Sequence, residues 1–469
     1  MYKSIYLLLL GLSALPFADG QTAWLNVSCG TEFSLALKSD STLWAWGNNV
    51  NGQLGINNTA VQQQPVQIGT GTHWKQVEAG SFHGLAIQSN GTLWAWGLNS
   101  NGQLGVGDLN QRNAPVQVGT DTDWKTVYAG QGHSLGIKKD STLWVWGFNV
   151  NGQLGTGNTT DRNVPVQLGT EHVWLEASGG GAHSLALQAN GTLWAFGYNG
   201  TGQLGDGSTI QSEVPVQIGT ETNWVEIAAG FEFSVGRRAD NSIWTWGFNG
   251  NGQLGNGNST QQESPVQIGA SDAWMHIAAG SSYAFAIRED QALFGWGYNG
   301  AGQLGTGDLN QEDTPVQVGT ELDWTHIEGA SGTISGNTVF GTHSLGLRAQ
   351  EYAICASGSN YTGQLGNGVE DQSPVFDCIT GQTAGLQETV SLNGVSIYPN
   401  PSQGVFQVTL DAASAAQMYE VINLAGQVLL SAAVPASDFQ IDLRGFNAGV
   451  YFVVLGSGGS RVNQKIVLQ

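Results

Sequence analysis

The chain has 469 residues, of which 69 are glycine, and only 11% are charged. That is too much glycine for a helical protein and too little charge for a disordered one, and it suits short strands joined by tight turns. The formal charge is −21, with 15 Lys and Arg in all; a nucleic-acid surface needs clustered cations, so the composition argues against a nucleic-acid partner.

Residues 1–20 read as a secretory signal. Lys3 supplies the basic start, Ile5 to Leu15 the short apolar core, and Ala18-Asp19-Gly20 the small residues before Gln21. The apolar run is too short to span a bilayer, and nothing after it resembles an anchor. The expectation is an exported protein without a transmembrane segment.

From Trp24 onward a unit of 50 residues repeats. Its most regular stretch, Trp44 to Gly55, returns as Trp94–Gly105, Trp144–Gly155, Trp194–Gly205, Trp244–Gly255 and Phe294–Gly305, with a degraded copy at Cys355–Gly366. A period of this length marks stacked supersecondary units. Each unit opens with a short alternating stretch such as Trp24–Ser28. It continues with Phe33–Leu37, a turn at Lys38–Ser41, and Thr42–Trp46, whose alternation sends Leu43 and Ala45 to one face and both indoles to the other. After a glycine-rich turn and a polar loop comes Pro65–Gly69. Four strands per unit and seven units predict an all-β, seven-bladed propeller over residues 21–380. All 17 tryptophans fall in the Trp24 column or the Trp44/Trp46 doublet, so the rings are expected to pack blade against blade rather than to stack a ligand.

Within the repeated stretch, Gly47, Gly52 and Gly55 permit the positive φ of a sharp turn. Asn49 and Gln53 are expected to satisfy local backbone, with Asn49 in or near the left-handed region, and Leu54 to plug the apolar layer. No Lys follows the glycines and no helix opens after them, which argues against a phosphate cradle.

The pattern Trp-Gly-x-Asn-x-x-Gly-Gln-Leu-Gly, preceded by stretches such as Gly180-Gly181-Ala182-His183-Ser184-Leu185-Ala186-Leu187, resembles the repeat of the regulator-of-chromosome-condensation family. The resemblance covers residues 22–381. It implies a seven-bladed β-propeller, and membership of a family that includes a nucleotide-exchange factor for a small GTPase and a secreted bacterial β-lactamase inhibitor, both of which bind proteins through one face.

His83, His133, His183 and His343 share a column with Phe33, Phe233 and Tyr283, which favours packing over catalysis. Arg237 departs from an apolar column; pairing with an acid such as Glu232, or lining a cavity, are the readings left open. Cys29 stands in a column of Ala and Gly and is expected to be small and buried. Cys355 and Cys378 fall within one repeat and can pair in an oxidising compartment. No His or Cys stands at metal-ligand spacing, and no cofactor or metal is expected.

The units differ most between the glycine-rich turn and the next proline, and loops on a rigid scaffold are where recognition usually sits. Candidate binding residues there are Asp108, Asn110, Arg112, Asp206, Asp308, Asn310 and Glu312. The aspartates follow glycines, but the full spacing of a calcium loop is absent, so solvated turn residues are expected. The seventh unit carries an insertion at 331–340.

Residues 381–392 read as a linker and 393–469 as a second domain, a small β-sandwich of alternating strands. Tyr398-Pro399-Asn400-Pro401, Gly426 in Gly-Gln-Val, Gly449 and Tyr451 in Gly-Val-Tyr, and Lys465 in the terminal Lys-Ile-Val resemble the C-terminal sorting domain of the type IX secretion system of Bacteroidota. That resemblance implies routing through the outer membrane, with the cargo released or attached to the cell surface. All but one unit of the net negative charge precedes residue 393, so the propeller's field favours cationic partners.

No catalytic set is legible. The expected function is a secreted or surface-displayed scaffold that binds a protein or glycan through its loops. The alternatives are a polysaccharide-acting enzyme with a site over the central channel, built from acids of separate blades, and a structural adhesin.

Overall fold

The computed structural model describes residues 22–269, 273–332, 334–335, 338–339, 341–349 and 353–379, and then 395–398, 402, 404–410, 418–423, 428–434, 438–446, 449–457 and 460–468. The signal segment 1–20, the linker 381–392, and Pro399, Asn400, Pro401 and Gly426 lie outside the described residues. The chain divides into Thr22–Gly381 and a unit that includes Gln382–Gln469.

Thr22–Gly381 is a seven-bladed propeller. Each blade is a four-stranded antiparallel sheet whose strands follow one another in the chain, broken only by the inserted hairpin of blade 7, from Trp24–Cys29, Phe33–Lys38, Leu43–Gly47 and Gln62–Gln67 in blade 1 to Trp324–Gly329, His343–Arg348, Ile354–Gly358 and Ser373–Ile379 in blade 7. The first strands meet one another around the ring, the first blade's also touching the seventh's, and so line the central channel. The insertion in blade 7 forms a short hairpin, Ile334–Ser335 with Thr338–Val339.

A four-stranded sheet has two faces to bury and no helix to cover either, so each blade depends on its neighbours. Leu43, Ala45 and Leu54 of blade 1 pack with Trp74, Val77 and Trp96 of blade 2. The opposite face, with Trp24 and Trp46, packs on Leu345, Ile354 and Ala356 of blade 7 and closes the ring. The buried indole of each doublet also makes one polar contact across the seam. Trp96 Nε1 donates to the Gln53 carbonyl at 2.8 Å, and Trp146, Trp246 and Trp296 repeat this on Gln103, Gln203 and Gln253. Trp46 Nε1 donates to Gln364 O at 2.8 Å, joining the last blade to the first. In blade 7, where the indoles are missing, Ser357 Oγ supplies the donor to Gln303 O at 2.9 Å. The missing ring is made good by Phe376, which meets Trp324 edge-on at 5.0 Å. Cys355 lies directly across from Cys378 on the adjacent strand and is disulfide-bonded to it.

The histidine column works at the same seams. Ser134 Oγ donates to Gln103 O, so it accepts from His83 Nε2 at 3.0 Å; His133, His183 and His343 bond Ser184, Ser234 and Ser34 in the same way. This fixes the Nε2–H tautomer and leaves Nδ1 bare against the backbone. Burial holds all four rings neutral, with pKa values pushed down to about 3 or 4. Where the column holds Phe33 or Phe233, the following blade offers Gly84 or Ala284 in place of the serine.

At the other end of blades 1, 3 and 5, a cation from the second strand sits over the indoles of the first and third strands. Lys38 Nζ lies 4.5 and 4.0 Å from the Trp24 and Trp44 centroids, and Lys138 and Arg238 repeat the clamp in blades 3 and 5.

The C-terminal unit has two sheets. Val395–Tyr398, Val405–Leu410 and Asp438–Asp442 form one; Val428–Ala433, Met418–Asn423, Gly449–Ser457 and Ser460–Leu468 form the other. Phe406, Val408 and Ile441 bury against Val421, Val453 and Ile466. Tyr451 is buried in that core beside Phe446. Gly449 opens a strand and Lys465 pairs with Phe452 in the last one.

The seam contact predicts a graded response at Trp46. Trp46→Ala removes both ring and hydrogen bond and is expected to cost about 3–5 kcal/mol. Trp46→Phe keeps most of the ring, as Phe196 does in blade 4, and should cost about 1–2 kcal/mol. Denaturant unfolding of the two variants checks the order; equal losses would refute the assignment.

Candidate functional site

The third strand of each blade ends at the same side as the turn between its first two strands, so all seven glycine-rich turns and the loops after them share one face of the disc. Positive φ is taken by Gly47, Gly52 and Gly55 and not by Asn49. Asn49 is instead a buried strut. Its Nδ2 donates to the carbonyls of Asn58 and Ala60 at 3.1 and 3.0 Å, and its Oδ1 accepts the Leu54 N–H. Gln53 Oε1 accepts the Asn51 N–H at 2.8 Å.

The predicted binding residues lie on this face, each in its own blade's loop. Asp108 accepts the Asn110 N–H at 2.8 Å and pairs with Arg112 at 2.6 Å. Asp206 accepts from Asn199 Nδ2 and the Ser208 N–H, and Asp308 from the Asn310 N–H and side chain. These bonds hold the Asp108 and Asp308 carboxyls below the usual range. The Glu312 carboxyl is raised by burial and by Asp308. The aspartates therefore cap their own turns, and the structure brings no two of them together across blades. Among the described residues no three His, Cys, Asp or Glu side chains gather as metal ligands would. The loops also brace the ring: the Gly107 N–H bonds Asn163 O and the Gly307 N–H bonds Pro374 O, both at 2.8 Å.

Side chains from different blades do converge in the central channel, through a column that sequence reading passed over. The third residue of the seven inner strands is Asn26, Gln76, Thr126, Glu176, Glu226, His276 and His326, polar in every blade. The reason is local. The innermost strand has one edge with no partner strand, and its backbone groups need partners. Gln76 meets both the N–H and the carbonyl of Val127 in the next blade, at 3.1 and 2.9 Å. Glu176 accepts the Ile227 N–H at 3.4 Å and Glu226 the Ile277 N–H at 3.2 Å. Two residues further on, Ser28 and Ser178 do the same for Ala79 and Ala229.

The channel charges are unevenly distributed. Arg237 pairs with Glu226, Nε to Oε2 at 2.7 Å, and not with the Glu232 that sequence proximity suggested. Glu226 lies directly across from Arg237 on the adjacent strand, whereas Glu232 sits in the turn at the channel mouth. Glu226 also holds His276 Nδ1 at 2.5 Å. Burial alone would raise the Glu226 carboxyl; His276 and Arg237 outweigh it and keep the group below its ordinary value. Burial would likewise depress His276, but Glu226 outweighs it and raises the ring's pKa. His276 stacks on His326 at 5.0 Å, and His326 Nε2 lies 3.2 Å from Glu328. Among the described residues Glu78 and Glu176 form no ion pair, and the pull of His276 and Arg237 on Glu176 is too weak to offset burial. Burial, together with Glu328 for the first and Glu226 for the second, pushes each up to about 8. Near neutral pH burial therefore favours the protonated form of Glu78 and Glu176, and the cations beside Glu226 favour its ionised form.

The RCC1-like domain model matches residues 13–275, and Regulator of chromosome condensation (RCC1) repeat models match 276–303 and 290–333. The Secretion system C-terminal sorting domain model matches 396–469. Among solved structures the chain is similar to Prp20p of Saccharomyces cerevisiae, described with its binding properties to Gsp1p and histones. The TM-score is 0.63 at 18% identity, covering 80% of this chain and 90% of that one. It is also similar to yeast Prp20 bound to Kap60 (0.63, 17%, covering 84% and 90%) and to human WBSCR16 (0.60, 23%, covering 66% and 85%). At these identities the likeness is one of fold. A search of curated proteins finds no match.

Two predictions come from the channel. Glu78 and Glu176 keep their protons to about pH 8 when folded, against an ordinary glutamate value of 4.5. Between those values the folded state binds more protons, so stability falls as pH rises. His276, raised when folded, adds to the fall as pH climbs through its folded value. Below about pH 6.5 the four buried neutral histidines act the other way, because the unfolded chain takes up protons that the folded rings refuse. The melting temperature should therefore decline from about pH 7 to about pH 9, and Glu78→Gln with Glu176→Gln should flatten that limb; a flat wild-type profile over that range would sink this account. Separately, Glu226→Ala strands Arg237 in the wall and is expected to cost about 3–5 kcal/mol, most of it recovered when Arg237→Ile is added. A double-mutant cycle by chemical denaturation measures the coupling.

Proposed function

The chain belongs to the RCC1-like domain family, and from that fold we propose that it is an exported binding scaffold that recognises a protein or glycan through its propeller loops. The sorting domain at its C-terminus accounts for delivery to the cell surface or the medium by the type IX machinery. One observation carries the reading. The residues that repeat (tryptophans, glycines, Asn49, Gln53 and the histidine column) are engaged in holding blades together or in bracing their own turns, while the loops between the glycine-rich turn and the outer strand vary on one shared face. A rigid disc with variable loops is built for recognition.

A second reading, a glycan-acting enzyme at the channel, is favoured by the coexistence of protonated Glu78 and Glu176 with ionised Glu226. Against it, Glu176 and Glu226 each use an oxygen on the next blade's backbone. Reducing-end assays on a glycan panel decide: turnover abolished by Glu226→Gln supports the enzyme, and no product from any glycan removes it.

For the scaffold, the full exported chain should capture a partner from cell-envelope proteins or a glycan array. Replacing 106–114 and 306–314 by the blade 1 loop 56–64 should abolish capture while the melting temperature stays within a few degrees, about 1 kcal/mol. Capture of nothing by the wild-type chain would remove the proposal.

A further inference from the structure

The seven loops are alike in length and unlike in charge. In blades 1–3 (48–64, 98–114 and 148–164) two aspartates are matched by Arg112 and Arg162. In blades 4–7 (198–214, 248–264, 298–314 and 359–373) there are eight carboxylates and no Lys or Arg. Asp206, Glu263, Asp313, Glu370 and Asp371 among them are exposed.

A second feature follows the same division. The residue after the third strand is aromatic in blades 3–6, as Phe148, Tyr198, Phe248 and Tyr298, and each N–H bonds a carbonyl of the turn at the channel mouth, on Gly132, Ala182, Glu232 and Ser282, at 2.8–2.9 Å. Two residues later stand Gly200, Gly250 and Gly300, where blades 1–3 have Val50, Ser100 and Val150. A Cβ at any of these three glycines would collide with the far end of the ring before it. The rings therefore lie across their own turns. They are half-buried, and none belongs to the buried cores of the seams. Further out, Ile210 and Tyr361 are 74% and 72% exposed, and Leu309 and Val369 are also open to solvent. Blades 4–6 thus present glycine-backed aromatic rings, and the loops of blades 4–7 add carboxylates and exposed apolar side chains on the same face.

We propose that this half of the loop face docks an arginine-rich protein surface. The proposal rests on the scaffold reading and names the chemistry of the partner. Guanidinium groups stack on Tyr and Phe faces and pair with carboxylates, and do both with little loss of hydration. Carboxylates spread over four blades are met together only by a ligand that spans several blades and repeats its positive charge. Polyanions are repelled by this surface, and neutral glycans leave its charge unmatched.

The test uses the full chain, a synthetic arginine-rich peptide, and the same peptide with every arginine replaced by citrulline, which keeps shape and removes charge. Wild type should bind the first at least about tenfold more tightly than the second, and added salt should weaken it. Glu213→Gln, Glu263→Gln and Asp371→Asn together, or Tyr198→Ala with Tyr298→Ala, should each lower binding roughly tenfold. Glu171→Gln, Glu289→Gln and Glu321→Gln on the opposite side of the disc should leave it unchanged. Equal loss with both sets of neutralisations would reduce the effect to net charge and overturn the proposal, as would equal binding of the citrulline peptide. A partner captured from the envelope whose binding ignores the loop-face substitutions would overturn this inference while sparing the scaffold; capture of nothing would overturn the scaffold itself. Melting temperatures of all variants exclude unfolding as the cause.

Discussion

The backbone carbonyl of each repeat's glutamine is buried at a seam and receives its donor from the following blade. Trp96 reaches Gln53, Trp46 reaches Gln364, and Ser357 stands in at Gln303. An unpaired buried carbonyl costs far more than a single bond contributes, so this contact fixes the placement of one blade on the next. The packing of indoles on the leucine face then follows. The ring closes by the same means that builds it, with no strand exchanged between the ends of the propeller.

The seams vary in ways that compensate. Four carry a histidine–serine bond. Where phenylalanine replaces histidine, the facing serine becomes Gly84 or Ala284, so neither side is left with an unmatched polar group. The seam of blades 5 and 6, which lacks the histidine–serine bond, holds the Arg237–Glu226–His276 cluster instead. Blade 7 lost its indoles, and Phe376 and the Cys355–Cys378 disulfide fill the place. One chain therefore shows several solutions to the same packing problem.

The channel was hard to read because its residues differ in kind from blade to blade. Asn26, Gln76, Thr126, Glu176, Glu226, His276 and His326 share only polarity, and the backbone groups that Gln76, Glu176 and Glu226 meet come within reach only when the next blade is in place. Arg237 illustrates the same difficulty. Glu232 is five residues away in sequence, but strand register places Glu226 opposite the guanidinium. The loop aspartates show the converse. The linear pattern offers them as binding candidates or solvated turn residues, and only the fold shows that their oxygens cap the N–H groups of their own turns.

The sequence by itself determined the repeat, the number of blades, the faces on which leucines and indoles lie, and the resemblance of the tail to a sorting domain. All of these are periodic or local, and seven copies of one pattern leave little room for another reading. Only the tertiary structure decided which glutamates burial pushes toward the protonated form, which acid holds Arg237, and that the rings of blades 4–6 share a face with a run of negative charge. Those properties depend on residues brought together from separate blades, at distances that no spacing along the chain encodes.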